Sequence, residues 1–278
     1  MSAFAEDRDL AIQFRDLRLC EFVQSAVQNI ELFEHPILGK VLAINGEVQH
    51  VERWQSLYHE PLIHLASSFI PEVRDVLVLG GGSLFAASEV LRYPTVTRCT
   101  LVDHDPDVLD LMVRHYAHAV AVAGDSRFTF INRNAVEFLQ TADDKYDLVV
   151  NDCFDTLRAT VESGQPVFDL MSKRLSREGV CSDPVYRHVF EQSYSAWTLN
   201  ELQKVNYALS LVTIPEYPGV LHLLACWGSN RISQNLHAPI NEWQKRWATR
   251  KEERPKLEFY DPRFLPFYLY LPPYLQKA

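Results

Sequence analysis

The sequence predicts an α/β protein: a doubly wound parallel sheet preceded by a small antiparallel β domain. Three observations carry this. From about residue 75, short apolar runs alternate with stretches of helical spacing. The first of these runs ends in three glycines, Gly80, Gly81 and Gly82, and opens a helix. Residues 1–70 instead alternate apolar and polar residues around Asn45-Gly46, a strong hairpin turn signal.

Taken in order, VQNIELFEHPILGKVLAINGEVQHVERW predicts a small antiparallel sheet, followed by a helix through YHEPLIHLASSF. Pro71, Glu72 and Arg74 mark a boundary, so residues 1–70 form one unit and 71–278 another. DVLVL, CTLVD, RFTFI and YDLVVND read as buried parallel strands, because both faces of such a sheet are covered. DPDVLDLMVRHYAHAV reads as one helix with an Asp-Pro start, and AVEFLQ as a short one. Helices near 165–176 and 190–206, a strand near 178–182 and the apolar runs YALSLVTI and VLHLLACW follow. The tail FYDPRFLPFYLYLPPYL, rich in aromatics and proline, should pack on the surface or over a site rather than form a regular element.

Composition narrows the function. Of 278 residues, 47% are hydrophobic and 23% charged, enough for a substantial core. A net charge of -9 argues against a phosphate-backbone binder, so no nucleic-acid partner is expected; it suits small cationic ligands. No apolar run reaches the length of a membrane span, and the N-terminus lacks a signal-peptide core. Cys20, Cys99, Cys153, Cys181 and Cys226 are scattered and form no CxxC pair. They read as reduced thiols of a cytoplasmic protein without a metal site. His104, His115 and His118 are spaced like exposed helix residues.

The glycine turn places bare backbone N–H groups at a helix N-terminus. Gly80 and Gly82 fill the first two places of a dinucleotide fingerprint, but Phe85 occupies the third and disfavours a pyrophosphate. Asp103, at the tip of the second parallel strand, is placed to accept from ribose hydroxyls, whereas Asp105 fits an N-cap. An adenosyl ligand without a diphosphate follows: S-adenosylmethionine or a relative.

An ordered series of motifs over roughly residues 25–278 resembles the spermidine synthase family of aminopropyltransferases. It comprises LGKVLAINGEVQ, YHE, GGGSLFAASEV, LVDHDPDV, NAVEFL, NDCFD, PEYPG and the aromatic tail. The resemblance implies a methyltransferase-type Rossmann fold and a dimer or tetramer, of which a homodimer is expected. It implies that Asp152 and Tyr58 deprotonate an acceptor amine and that Asp155 anchors it. Tyr217 would line the acceptor channel with His59 and Glu60. Gln28, Gln49, Gly80, Gly81, Gly82, Ser83, Asp103 and Asn134 would hold the donor. Asn134 stands where the family has an adenine-binding aspartate, and its amide can accept from N6 and donate to N1.

The departures concern the donor's amino-acid end. Ser83 replaces the aspartate that faces the ammonium of decarboxylated S-adenosylmethionine in the family. An acid there would repel the carboxylate of intact S-adenosylmethionine by a few kcal/mol at about 4 Å; Ser83 removes that repulsion. Leu84 and Phe85 add bulk where the family has glycine, Trp54-Gln55 replaces Asp-Glu, and Thr156 replaces a proline. The expected function is alkylation of a small amine-bearing metabolite by S-adenosylmethionine, moving either the methyl or the 3-amino-3-carboxypropyl group. Alternatives are an aminopropyltransferase using the decarboxylated donor and a non-catalytic nucleoside-binding relative.

Overall fold

The computed structural model describes residues 2–5, 11–153, 156–188, 200–217, 220–236, 241–242, 244–245 and 256–271. β1 (Ser2–Ala5) and β2 (Ala11–Phe14) form a two-stranded ribbon. β3 (Arg18–Gln24), β4 (Asn29–His35), β5 (Gly39–Ile44) and β6 (Glu47–Val51) form an antiparallel sheet in sequence order. The β5–β6 hairpin turns at Asn45 and Gly46, both with positive φ (53° and 79°), as a tight hairpin of right-handed twist requires. One face of this sheet buries Phe33, Val41, Ala43 and Val48; Ile30, Leu32 and Leu42 join the main core instead.

The main sheet is built from β7 (Asp75–Gly80), β8 (Arg98–Asp103), β9 (Phe128–Asn132), β10 (Tyr146–Asp152), β11 (Leu175–His188), β12 (Asn206–Val212) and β13 (Val220–Gly228). Its order is β12-β13-β11-β10-β7-β8-β9. β7 lies between β8 and β10 and is parallel to both, while β13 runs antiparallel to β11 and β12. Each strand sends alternate residues to opposite faces. Val76, Val78, Leu148 and Val150 pack in one core, and Leu77, Leu79, Val102 and Val149 in the other. That two-sided burial is why these strands read as unbroken apolar runs. α1 (Gln55–Ser67), α2 (Phe85–Leu91), α3 (Pro106–His115) and α4 (Ala117–Ala123) cover the first face. α5 (Ala135–Thr141) and α7 (Val167–Ser172) cover the second, with α6 (Thr156–Ser163) beside α7. α1 packs on α2, β10 and β11, so the helix after the N-terminal sheet belongs to the main core.

Some elements differ from the sequence expectation. The single helix over 105–120 is two: Tyr116 is extended (φ −129°, ψ 127°) and ends α3 while starting α4. Its buried ring lies edge-on to Phe85 and His118, and that packing outweighs helical propensity. The strand near 178–182 is 14 residues long. Of the expected helix over 190–206, residues 190–199 lie outside the described part, and Asn206 already begins β12. In the tail, Tyr260 and Leu265 are buried against the main core, and Leu265–Tyr268 makes one helical turn. Among the described residues no helix is long and apolar enough to cross a membrane.

Candidate active site

The carboxyl ends of β7, β8 and β10 meet under the N-terminal sheet and enclose a cavity of about 610 Å³. The register sets its floor: Asp152 of β10 pairs with Gly80 of β7. Gly80 and Gly81 have φ of +74° and +75°. A Cβ on Gly80 would lie 2.0 Å from the Cys153 Cβ, and one on Gly81 2.9 Å from Asp152 Oδ2. Both glycines are therefore required for the turn to pass beside Asp152.

Asp152 is the centre of the site. The Tyr58 hydroxyl, one turn into α1, donates to its Oδ1 at 3.1 Å. Burial raises the Asp152 carboxyl from 3.8 to about 7; the Tyr58 bond pulls it down and the Asp103 charge pushes it up. This is a carboxylate able to exchange a proton near neutrality. Asp155 lies outside the described residues.

On the β8 side, Asp103 accepts from Gly82 N at 3.1 Å and from Asp105 N at 3.0 Å, which fixes the glycine turn. Burial raises its carboxyl, and each oxygen keeps acceptor capacity for a ribose hydroxyl. Asp105 caps α3 as the sequence implied, accepting from Asp107 N. It also accepts from the Gln28 amide at 2.7 Å, which ties Gln28 and the N-terminal sheet to the cavity. Gln28, Gln49, Gly81, Gly82, Ser83 and Asp103 all line the space. Asn134 does not: it is exposed and caps α5, its carbonyl oxygen accepting from Val136 and Glu137 N–H. The amide hydrogens are what it retains for a ligand.

Two sequence readings are corrected. Glu60, expected beside the substrate, is buried on the far side of α1 and accepts backbone N–H bonds from Glu258, Phe259 and Tyr260, each at 2.7 Å. Tyr58 and Glu60 are two apart on a helix, about 200° around it, so they cannot face one cavity. Nor is His118 an exposed helix residue. It stacks on Phe85 at 3.8 Å and its Nε2–H donates to the Ser83 carbonyl at 3.1 Å. His104 is exposed and His115 half-buried against Glu21.

His59 lines the cavity. Its Nδ1–H donates to the Gln55 carbonyl at 3.0 Å, and burial lowers the ring to about 4. Phe85, the residue that fills the third fingerprint place, packs between His118 and His50, whose ring centroid is 4.1 Å away. Burial keeps His50 and His118 neutral as well. The bulk at Leu84 and Phe85 thus builds a neutral aromatic wall behind Ser83. Thr156, where the family has proline, donates to Asp183 at 2.8 Å, and Asn151 donates to the other Asp183 oxygen at 2.7 Å. This buried trio links the strand end beside Asp152 to α6.

Sequence reasoning missed His50, Asp183 and Glu216. His50 follows Gln49 on β6 with Val48 buried two residues earlier, so alternation alone placed it inward. Asp183 sits mid-strand, where no pattern distinguishes it. Glu216 lies inside the quoted PEYPG segment beside Tyr217, and both line the cavity. Among the lining residues Glu47, Asp103, Asp152 and Glu216 are acids, and none is lysine or arginine. The site therefore favours cationic ligands.

Known proteins share this fold and match over much of this sequence. The spermine/spermidine synthase domain model matches residues 55–236. Putrescine N-methyltransferase 2 of Nicotiana tabacum is 30% identical over 246 residues, covering 86% of this chain and 69% of that protein. A polyamine aminopropyltransferase of Lachnospira eligens is 31% identical over 137 residues, 49% of this chain and 48% of that protein. The crystal structure of spermidine synthase from Thermotoga maritima superposes with a TM-score of 0.82 over 99% of this chain and 93% of that one, at 20% identity. A spermidine synthase in complex with the transition state analogue AdoDATO superposes at 0.79 over 94% and 87%, at 21% identity. The chain belongs to the spermine/spermidine synthase family of S-adenosylmethionine-type alkyltransferases.

Proposed function

We propose that this protein transfers the methyl group of intact S-adenosylmethionine to one nitrogen of a small aliphatic diamine. The observation that carries the reading is Ser83 in the cavity wall, beside the glycine turn and the neutral His50 and His59 rings. A donor carboxylate meets a hydroxyl and uncharged imidazoles there instead of an acid, so the intact donor is accommodated. The likeness to putrescine N-methyltransferases over most of the chain supports methyl rather than aminocarboxypropyl transfer.

In the proposed reaction the acceptor ammonium meets Asp152, whose raised carboxyl makes it a stronger base than an ordinary aspartate. Asp152 takes the proton, with Tyr58 orienting the carboxylate, and Asp155 holds the amine. The nitrogen lone pair attacks the methyl carbon. The C–N bond forms as the C–S bond breaks, and its electron pair returns to sulfur. The products are the thioether S-adenosylhomocysteine and a methylated ammonium. Gln28, Gln49, Asp103 and the glycine turn hold the nucleoside, and Tyr217 lines the acceptor's path. A cytoplasmic homodimer belongs to the same proposal, the oligomer being testable by light scattering.

The test is product mass. Protein, putrescine and either S-adenosylmethionine or its decarboxylated form are incubated and the amine is weighed by mass spectrometry. A methyl added from the intact donor is the expected result. An aminopropyl group added only from the decarboxylated donor overturns the reading of Ser83. Addition of the aminocarboxypropyl group keeps that reading and overturns methyl transfer.

A further inference from the structure

Glu216 has no role in the chemistry described so far. It follows Pro215 in the connection between β12 and β13, next to Tyr217. It is 5% exposed and lines the cavity, yet its Oε2 has no hydrogen-bond partner among the described residues. The carboxylate accepts from its own backbone N–H, but a buried carboxylate oxygen left unpartnered is costly, so such a group is kept neutral or awaits a cation. Burial raises its carboxyl from 4.5 to about 7, which poises it between the two states near neutrality.

Its position is set by the sheet order. Along the carboxyl edge, Asp103 ends β8, the glycine turn ends β7, and Asp152 ends β10. β11 and β13 come next, then the end of β12, from which the Glu216 turn springs. Glu216 therefore lies on the side of Asp152 opposite the nucleoside-holding residues. The turn joins β12 to β13, three and two strand spacings from β10, roughly 14 and 10 Å at the backbone, and the side chains of Glu216 and Asp152 line the same cavity between them. In the same turn the Tyr217 ring lies against His222, ring centroids 5.6 Å apart; burial holds that histidine down at about 4 and uncharged. Among the described residues that line the cavity none is lysine or arginine to compete for the carboxylate.

We infer that Glu216 is a specificity-determining residue that receives the second, non-reacting ammonium of the diamine while Asp152 holds the reacting nitrogen. This rests on the diamine reading above. The ion pair completes the unpartnered oxygen and fixes the amine at both ends, so a monoamine of the same length binds loosely. Truncated substrates lose the positioning that remote contacts supply.

The experiment compares 1,4-diaminobutane with butylamine, in the full-length protein and in Glu216→Gln, using S-adenosylmethionine and product mass. Calorimetric donor binding in the variant reports whether its fold is intact. The wild type is expected to prefer the diamine in kcat/KM by at least tenfold. Glu216→Gln is expected to raise the diamine KM at least tenfold, to leave the butylamine KM within about twofold, and to bind donor normally. A diamine preference that survives Glu216→Gln overturns this assignment and leaves the diamine reading standing. A wild type that alkylates neither amine overturns the diamine reading itself, and this assignment with it. A variant that loses donor binding as well overturns a selective role and makes Glu216 a structural residue; Glu216→Asp, keeping the charge, must then fail to restore the preference.

Discussion

Replacing Asp152 with asparagine should make the protein more stable and inactive at once. Asp152 is held at about 7 against an ordinary 3.8, chiefly by burial. The gap, about 7 minus 3.8, is roughly three pH units, and at ~1.4 kcal/mol per unit its ceiling is about 4 kcal/mol. Asp152 opens onto the cavity, and solvent there reduces this to about 2 kcal/mol. Below pH ~4 both folded and unfolded chains hold the proton and nothing is lost. Between ~4 and ~7 the folded protein keeps a proton that the unfolded chain has released, so wild-type stability falls as pH rises through this window. Asparagine has no charge to bury and can still accept from Tyr58. The variant's advantage in melting temperature should therefore widen by about 2–5 °C between pH 5 and pH 8. Thermal melts of both proteins at four pH values measure it. A constant or shrinking advantage refutes the assignment of a buried, proton-exchanging carboxyl. In the same variant kcat should fall at least ~100-fold, with donor binding retained.

Three further outcomes are expected. Tyr58→Phe removes the bond that lowers Asp152, so the acid limb of kcat/KM against pH should move up by about one unit; an unmoved limb separates Tyr58 from the proton. Ser83→Asp restores an acid about 4 Å from the donor's amino-acid end and should swing preference towards the decarboxylated donor by at least ~tenfold, read by calorimetry with both donors. Leu84 is fully buried in a left-handed conformation, φ +63°. Leu84→Gly should relieve about 1 kcal/mol of backbone strain but forfeit about 2–5 kcal/mol of packing. A net loss of about 1–4 kcal/mol in denaturant unfolding is expected, and a gain would contradict the packing role.

Much of the framework was legible because its physics is local. Buried parallel strands are apolar on both faces, so YDLVVND matched β10 residue for residue. Asn45-Gly46 is a turn by its own backbone preference. What failed depended on distant partners. Tyr116 breaks a helix because Phe85 is beside it, and Phe85 is 31 residues upstream. The glycine turn was found from its residues, and Asp152 and Tyr58 as a pair through the motif resemblance; the structure brings them together. Glu60 shares a motif with Tyr58, yet a motif records residue types and not the side of the helix on which each falls. Glu216 escaped notice because an acid in a turn is ordinary until the turn proves to be buried.

The Glu60 clamp also ties the order of assembly to the order in which the chain is made. The three amides that satisfy this carboxylate lie 198 to 200 positions downstream of it. While the chain emerges from the ribosome, α1 settling into the core buries the Glu60 carboxyl without its amide partners, a cost of several kcal/mol. The helix that presents Tyr58 to Asp152 can therefore lock fully only after residues 258–260 have been made. A chain released early, ending before residue 258, would keep its cavity-forming strands but leave α1 poorly seated, exposing apolar surface to proteolysis. Synthesis of the segment that carries Glu258, Phe259 and Tyr260 is thereby coupled to assembly of the Tyr58–Asp152 pair.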